Sequence, residues 1–257
     1  MRIIGHRGYP ARYPENTVAS LLAALLAGAD GVEFDVRLSR DGVPVLLHDE
    51  TTARVAPGEP CLRSSEAGAA ALTRTRLGMG QCVPTLREAL EAVPPGYLLL
   101  VEVKEEEAAE PSYRVVAAAG RLGDTVFISN VAGALRRIRG LDAGARLGFI
   151  VESVGDVELL WRLHGELGLA LVAPPIMGVQ LLGLDEFRRL VGEARRLGME
   201  AAFWTLVEPR ELRGLEDLAD YVITDDPSAW RRVGITAPRP LAGPGEGVAR
   251  AIGAEAG

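Results

Sequence analysis

Tyr97-Leu98-Leu99-Leu100-Val101-Glu102-Val103 is a run in which apolar side chains follow one another without the in-and-out alternation of a half-solvated strand. A strand that is apolar on both sides belongs in a parallel sheet covered on both faces. Its single acid, Glu102, sits near the strand end, where a charge inside a buried strand needs a physical reason. Runs of similar character recur along the chain, and the segments 2–5, 32–38, 97–103, 125–129, 147–151, 170–173, 201–206 and 221–224 read as strands. Helical patterns lie between them, near 17–27, 86–92, 112–122, 132–139, 157–167, 185–197, 209–218 and 227–233. Asn16 or Thr17 can cap the first helix, and Gly28, Gly168 and Gly198 lie where helices should stop. Eight βα units in a chain of 257 residues predict a TIM (β/α)8 barrel. A doubly wound open sheet would carry a nucleotide-binding glycine turn after the first strand, and Gly5-His6-Arg7-Gly8 is not one.

One extra strand, 43–48, breaks the alternation after the second barrel strand. Asp41-Gly42 reads as a two-residue hairpin turn. That turn pairs Arg40 with Val43, Leu38 with Val45 and Asp35 with His48, and directly opposed residues share a face. Glu33 shares the face of Asp35 by strand periodicity. The hairpin is therefore expected to return His48 to the two acids at the barrel mouth. Residues 50–83 lack periodicity and read as a long functional loop or small lid. The Ala/Gly/Pro-rich segment 236–257 is expected to be poorly ordered, so the expected organisation is one catalytic barrel domain over 1–235.

The formal charge of −7 argues against a general nucleic-acid or membrane-surface binder. The uncharged stretch 18–29 is too short to span a bilayer. Met1-Arg2-Ile3-Ile4 leads straight into the first strand with no secretory leader pattern. Cys61 and Cys82 form neither a disulfide framework nor a zinc pattern, and free thiols in a cytoplasmic protein are expected.

The scarce ionisable residues gather at strand ends. His6 and Arg7 follow the first strand, on the side where barrels place their chemistry. A histidine there can move a proton, and an arginine can clamp phosphate oxygens. Glu33, Asp35 and Glu102 converge from two strands, and three such carboxylates repel one another unless a cation joins them. All-oxygen ligands favour Mg2+ or Ca2+ over zinc. Lys104, the only lysine in the chain, shares the face of Glu102 and can neutralise phosphate or hold a carboxylate. His48 offers a second acid/base, with Asp49 either orienting it or fixing the loop. Trp204 can wall a substrate pocket. His164 reads as structural, and Thr224-Asp225-Asp226-Pro227 as a helix cap.

Taken in order, His6-Arg7-Gly8, Pro14-Glu15-Asn16-Thr17, Glu33-Phe34-Asp35-Val36, Asp41-Gly42-Val43-Pro44-Val45, His48-Asp49, Pro84-Thr85-Leu86-Arg87-Glu88-Ala89-Leu90, Val101-Glu102-Val103-Lys104, Trp204-Thr205 and Ile223-Thr224-Asp225-Asp226-Pro227 resemble the glycerophosphodiester phosphodiesterase family. The resemblance implies a TIM barrel that hydrolyses small-molecule glycerophosphodiesters to sn-glycerol 3-phosphate and an alcohol. It further implies that Glu33, Asp35 and Glu102 bind the divalent cation, that His6 and His48 form the acid/base pair, and that Arg7 and Lys104 contact phosphate. The stretch Glu50-Thr51-Thr52-Ala53-Arg54 departs from the family's leucine and Arg-Thr-Thr-like sequence. A related barrel phospholipase and a catalytically silent glycerol-phosphate-binding barrel are the alternative readings.

Overall fold

A computed structural model of the chain describes residues 1–231. Eight parallel strands close into a barrel: β1 (Arg2–Gly5), β2 (Gly31–Leu38), β3 (Leu98–Val103), β4 (Thr125–Ser129), β5 (Leu147–Ile150), β6 (Leu171–Ala173), β7 (Glu200–Leu206) and β8 (Tyr221–Thr224). Closure is direct, since β1 pairs with β2 on one side and with β8 on the other, where Gly5 lies opposite Thr224. Strand periodicity sorts the apolar residues into two cores. Leu98 and Leu100 fill the barrel interior with Ile4, Ile128, Tyr221 and others. Leu99, Val101 and Val103 pack outward, in the layer beneath the helices. The continuous apolar run of β3 is thus buried on both faces, and the inward parity continues to Glu102 and then Lys104 at the mouth. Asp35 on β2 is the lateral neighbour of Glu102.

The hairpin forms in a different register from the one expected. Val36 pairs with Leu46, Arg37 with Val45 and Leu38 with Pro44. Ser39 N–H bonds Val43 O at 3.0 Å and Gly42 N–H bonds Ser39 O at 2.9 Å, which leaves Arg40, Asp41 and Gly42 as the loop. Gly42 has φ of 79°, so the turn is a three-residue type with its glycine left-handed. This slip would turn His48 away if the strand ran on. The strand instead ends at Leu46, and the chain bends as it leaves, with Arg37 Nε donating to His48 O at 2.8 Å. His48 reaches the barrel mouth by that bend.

Helices occur between the strands, with three departures. The helix expected at 112–122 is Ala109–Ala118, with Pro111 tolerated in its first turn. A short helix, Gly178–Leu182, precedes Leu184–Arg196. The helix expected at 209–218 shrinks to the 3-10 turn Pro209–Leu212, because Gly214 takes a φ of 81° and stops propagation, although Leu212 and Leu215 remain buried. The final helix is Pro227–Arg231, and residues 232–257, including the expected tail, lie outside the described residues. Residues 50–83 contain the helical turn Ala69–Leu72 and a ribbon of Arg76–Gly78 with Gln81–Cys82. Leu72 and Val83 bury against Val45, with Leu62, Ala67 and Leu77 around them, so the insertion is stapled to the hairpin by its own small core. Both cysteines are free thiols.

Candidate active site

Three carboxylates meet where β2 and β3 end. Glu33 and Asp35 are 2% and 0% exposed, and one oxygen from each, with one from Glu102, all lie within 4.8 Å of one another. The loop after β1 supplies much of what holds them. Arg7 N–H donates to Glu33 Oε2 at 2.9 Å, and the Arg7 Nε lies 3.1 Å from Asp35 Oδ2. Asn16, in a left-handed conformation, donates from Nδ2 to Asp35 Oδ2 at 2.8 Å and accepts the Asp35 N–H at 3.1 Å. Thr17 is the helix cap, accepting from Ser20 N–H, so Asn16 is released to position Asp35. Lys104 Nζ sits 2.5 Å from Glu102 Oε1 and 3.6 Å from Asp35 Oδ1.

These partners do not satisfy the cluster. Glu33 Oε1 and Asp35 Oδ1 are buried with no hydrogen-bond donor. Burial, then the charges of Asp35 and Glu102, push the Glu33 carboxyl well above its ordinary range. Burial and Asp35 likewise push Glu102 up to about 7. Burial acts to raise Asp35 too, but Arg7, Lys104, His48 and the Asn16 hydrogen bond outweigh it and hold Asp35 low. Buried carboxylate oxygens that accept no hydrogen bond, in an all-oxygen donor set, fit a hard divalent cation.

Each histidine at the mouth has a carboxylate on Nδ1. His6 Nδ1 is 2.7 Å from Asp225 Oδ1, and its Nε2 lies 4.0 Å from Glu33 Oε2. Asp225 follows β8 and reaches His6 because Gly5 and Thr224 are paired across the barrel closure. Reading this segment only as a helix cap misses that role; Asp226 does the capping, accepting from Ser228 N–H at 3.0 Å. His48 Nδ1 is 2.7 Å from Asp49 Oδ1. A carboxylate at Nδ1 favours the tautomer protonated there and leaves Nε2 available to reactants. Burial depresses His48 against the opposing pull of Asp35 and Asp49.

Arg54, from the insertion, links the two halves of the site. Its Nε donates to Asp49 Oδ2 at 2.6 Å, and its Nη1 and Nη2 donate to Glu15 at 2.8 and 2.7 Å. Glu15 in turn accepts from Arg7 Nη1 at 2.9 Å. Burial opposes ionisation of Asp49, but the hydrogen bonds of Arg54 and His48 hold its carboxyl down at about 2. Arg54→Ala is expected to lower kcat about tenfold with little change in KM, the scale for a group that orients an active side chain through another. Steady-state kinetics of the Ala and Lys variants check it; a loss confined to KM would reject the orienting role.

One hollow gathers these groups. His6, Arg7, Glu33, His48, Glu102 and Lys104 line one part of it. Ile128, Ile150, Glu152, Ala173, Trp204 and Ile223 line the remainder. The Trp204 indole N–H donates to Ala173 O at 2.8 Å, which fixes the ring against the barrel. His164 lies on the helix Asp156–Leu167, outside this constellation.

Known proteins resemble this chain in sequence and in fold. A glycerophosphodiester phosphodiesterase from Caldanaerobacter subterraneus is 27% identical over 237 residues, covering 88% of this chain and 94% of its own. A probable glycerophosphodiester phosphodiesterase 2 from Mycobacterium tuberculosis is 27% identical over 244 residues, covering 90% and 89%. The crystal structure of the glycerophosphodiester phosphodiesterase of Thermotoga maritima superposes with a TM-score of 0.78 at 27% identity, over 91% of this chain and 98% of that one. A phosphodiesterase of Oleispira antarctica, solved in complex with its product sn-glycerol-3-phosphate, shares the fold with a TM-score of 0.80 at 24% identity, over 92% and 97%. The glycerophosphoryl diester phosphodiesterase family matches residues 6–229. This chain is therefore a phosphoric diester hydrolase and belongs to the glycerophosphoryl diester phosphodiesterase family.

Proposed function

We propose that the enzyme hydrolyses small-molecule glycerophosphodiesters to sn-glycerol 3-phosphate and an alcohol, using one divalent cation, Mg2+ or Ca2+, and the pair His6 and His48. The observation that carries the reading is the pair of buried oxygens that accept no hydrogen bond, Glu33 Oε1 and Asp35 Oδ1, beside two imidazoles whose Nδ1 atoms are already engaged. The product seen in the Oleispira antarctica neighbour supports the substrate class. Glu33, Asp35 and Glu102 would hold the cation, which when bound supplies Lewis-acid stabilisation of charge on the phosphoryl oxygens.

The protein groups divide the remaining work. Arg7 and Lys104 face the hollow and would contact phosphate oxygens, and Trp204 walls the organic part of the substrate. One imidazole takes the proton of the attacking oxygen, which belongs either to water or to the neighbouring glycerol hydroxyl; in the second case the step leaves a cyclic phosphate that water then opens to sn-glycerol 3-phosphate. The other gives a proton to the alcohol oxygen as its bond to phosphorus breaks. Among the described residues, no helix is long and apolar enough to cross a membrane.

The test is hydrolysis of glycerophosphocholine after exhaustive chelation, with products identified. Activity is expected to fall by about 10²-fold or more, from the loss of several kcal/mol of charge stabilisation, and to return with Mg2+ or Ca2+. Full turnover by the stripped enzyme would overturn the cation reading. Release of choline phosphate instead of sn-glycerol 3-phosphate would overturn the bond assignment.

A further inference from the structure

The wall contributed by β4 to β8 is apolar apart from one carboxylate. Ile128, Ile150, Ala173 and Ile223 supply no side-chain hydrogen-bonding group, and the one N–H of the Trp204 indole is already given to Ala173 O. Glu152 stands two residues beyond Ile150, and strand periodicity carries it to the same side, where both line the hollow. Among the described residues its carboxylate has no hydrogen bond and no ion pair; only its backbone N–H is engaged, donating to Asp156 Oδ2 at 3.1 Å. Neither basic side chain of the hollow is paired with it: Arg7 is joined to Glu15 and Asp35, and Lys104 to Glu102 and Asp35. The hollow thus holds an unpaired carboxylate and an indole on walls with little else to offer a hydroxyl.

We infer that Glu152 and Trp204 form the subsite for the leaving alcohol and select a cationic amino alcohol over a neutral polyol. The inference rests on the reading of the hollow as a glycerophosphodiester site and deepens it. A substrate with phosphate near Arg7 and Lys104 has two organic ends to place. Its glycerol end carries free hydroxyls and gains little from aliphatic walls. A substituted ammonium spreads positive charge over a compact, partly apolar surface, which suits a carboxylate, an indole and aliphatic neighbours together. An alcohol bearing its own carboxylate is repelled by Glu152.

The experiment compares kcat/KM for glycerophosphocholine and glycerophosphoglycerol in the cation-loaded enzyme and in Glu152→Gln, Glu152→Asp and Glu152→Lys. Glu152 is exposed, so these variants are expected to fold. The wild type is expected to prefer the choline diester. The ratio of the two constants should fall about fivefold in Glu152→Gln, the scale of one partly solvated charge contact. It should stay near wild type in Glu152→Asp and invert in Glu152→Lys. A wild-type preference for the glycerol diester, or a ratio unmoved by the Gln and Lys changes, overturns the subsite while leaving hydrolysis itself intact. Hydrolysis of neither diester overturns the parent reading, and the subsite with it.

Discussion

Alanine at position 6 is expected to lower kcat about 10²–10⁴-fold, the range for losing a positioned acid or base, while the melting temperature stays close to that of the parent protein. The His6 side chain is only 18% exposed, yet it packs at the mouth and belongs to neither apolar core. Its removal leaves Asp225 facing water, where that carboxylate is already 41% exposed, so no buried charge is stranded. His48→Ala should behave alike, since His48 is 32% exposed and its partner Asp49 keeps Arg54. The distinguishing measurement is kcat and KM together with thermal unfolding. A variant that unfolds early would place the histidine in the fold's support. A variant that keeps a tenth or more of wild-type kcat would remove it from the chemistry.

The sequence carries the barrel because burial on both faces leaves a mark: the run of β3, apolar but for Glu102 and recurring in kind along the chain, is what a covered parallel strand looks like. The same periodicity locates Glu33, Asp35, Glu102 and Lys104, because two-residue spacing at a strand end sends alternate side chains into the mouth. Other features depend on partners distant in the chain. Asp225 serves His6 only through closure of β1 against β8, some 219 residues apart, and looks like a helix cap when read locally. Asn16 looks like a cap for the same reason; its left-handed backbone, which turns it toward Asp35, has no local signature beyond tolerance of that conformation. Arg54 is a surface arginine among many until the insertion folds back and brings it to Asp49 and Glu15. The hairpin register fails for a simpler cause. Asp41-Gly42 suits a two-residue turn and a three-residue turn with a left-handed glycine equally well, and the slip between them is decided by packing of Val45 and Leu46 in separate cores.

Glu33→Gln is expected to make the cation-free protein more stable and the enzyme nearly inactive. Glu33 is driven well above its ordinary value by burial and by its acidic neighbours, and Glu102 is driven to about 7. A carboxyl whose folded value lies above its unfolded one keeps protons in the fold that the unfolded chain releases. Its contribution to stability is present below the unfolded value of about 4.5 and is lost as pH rises through the folded value. The cation-free wild type should therefore lose stability as pH rises toward and through about 7, the value to which Glu102 is driven, because folding must confine a growing negative charge among the three acids. Glutamine removes one of them, can still accept the Arg7 N–H, and offers an amide donor toward Asp35 and Glu102. Relief of about 1–2 kcal/mol corresponds to a melting temperature several degrees higher at pH 8 in chelator, at about 2–4 °C per kcal/mol for a chain of this size. At pH 5 the advantage should shrink, because burial and the neighbouring acids hold Glu33 above its ordinary value and the cluster carries less charge there. Adding Mg2+ or Ca2+ should raise the wild type strongly at pH 8 and the variant much less, and turnover of the variant should stay down about 10²-fold or more. Thermal unfolding at both pH values, with and without cation, reads all of this. A variant that melts below the wild type in chelator, or that gains as much from the cation, would mean the three acids are held together by Arg7 and Lys104 alone and the ion binds elsewhere.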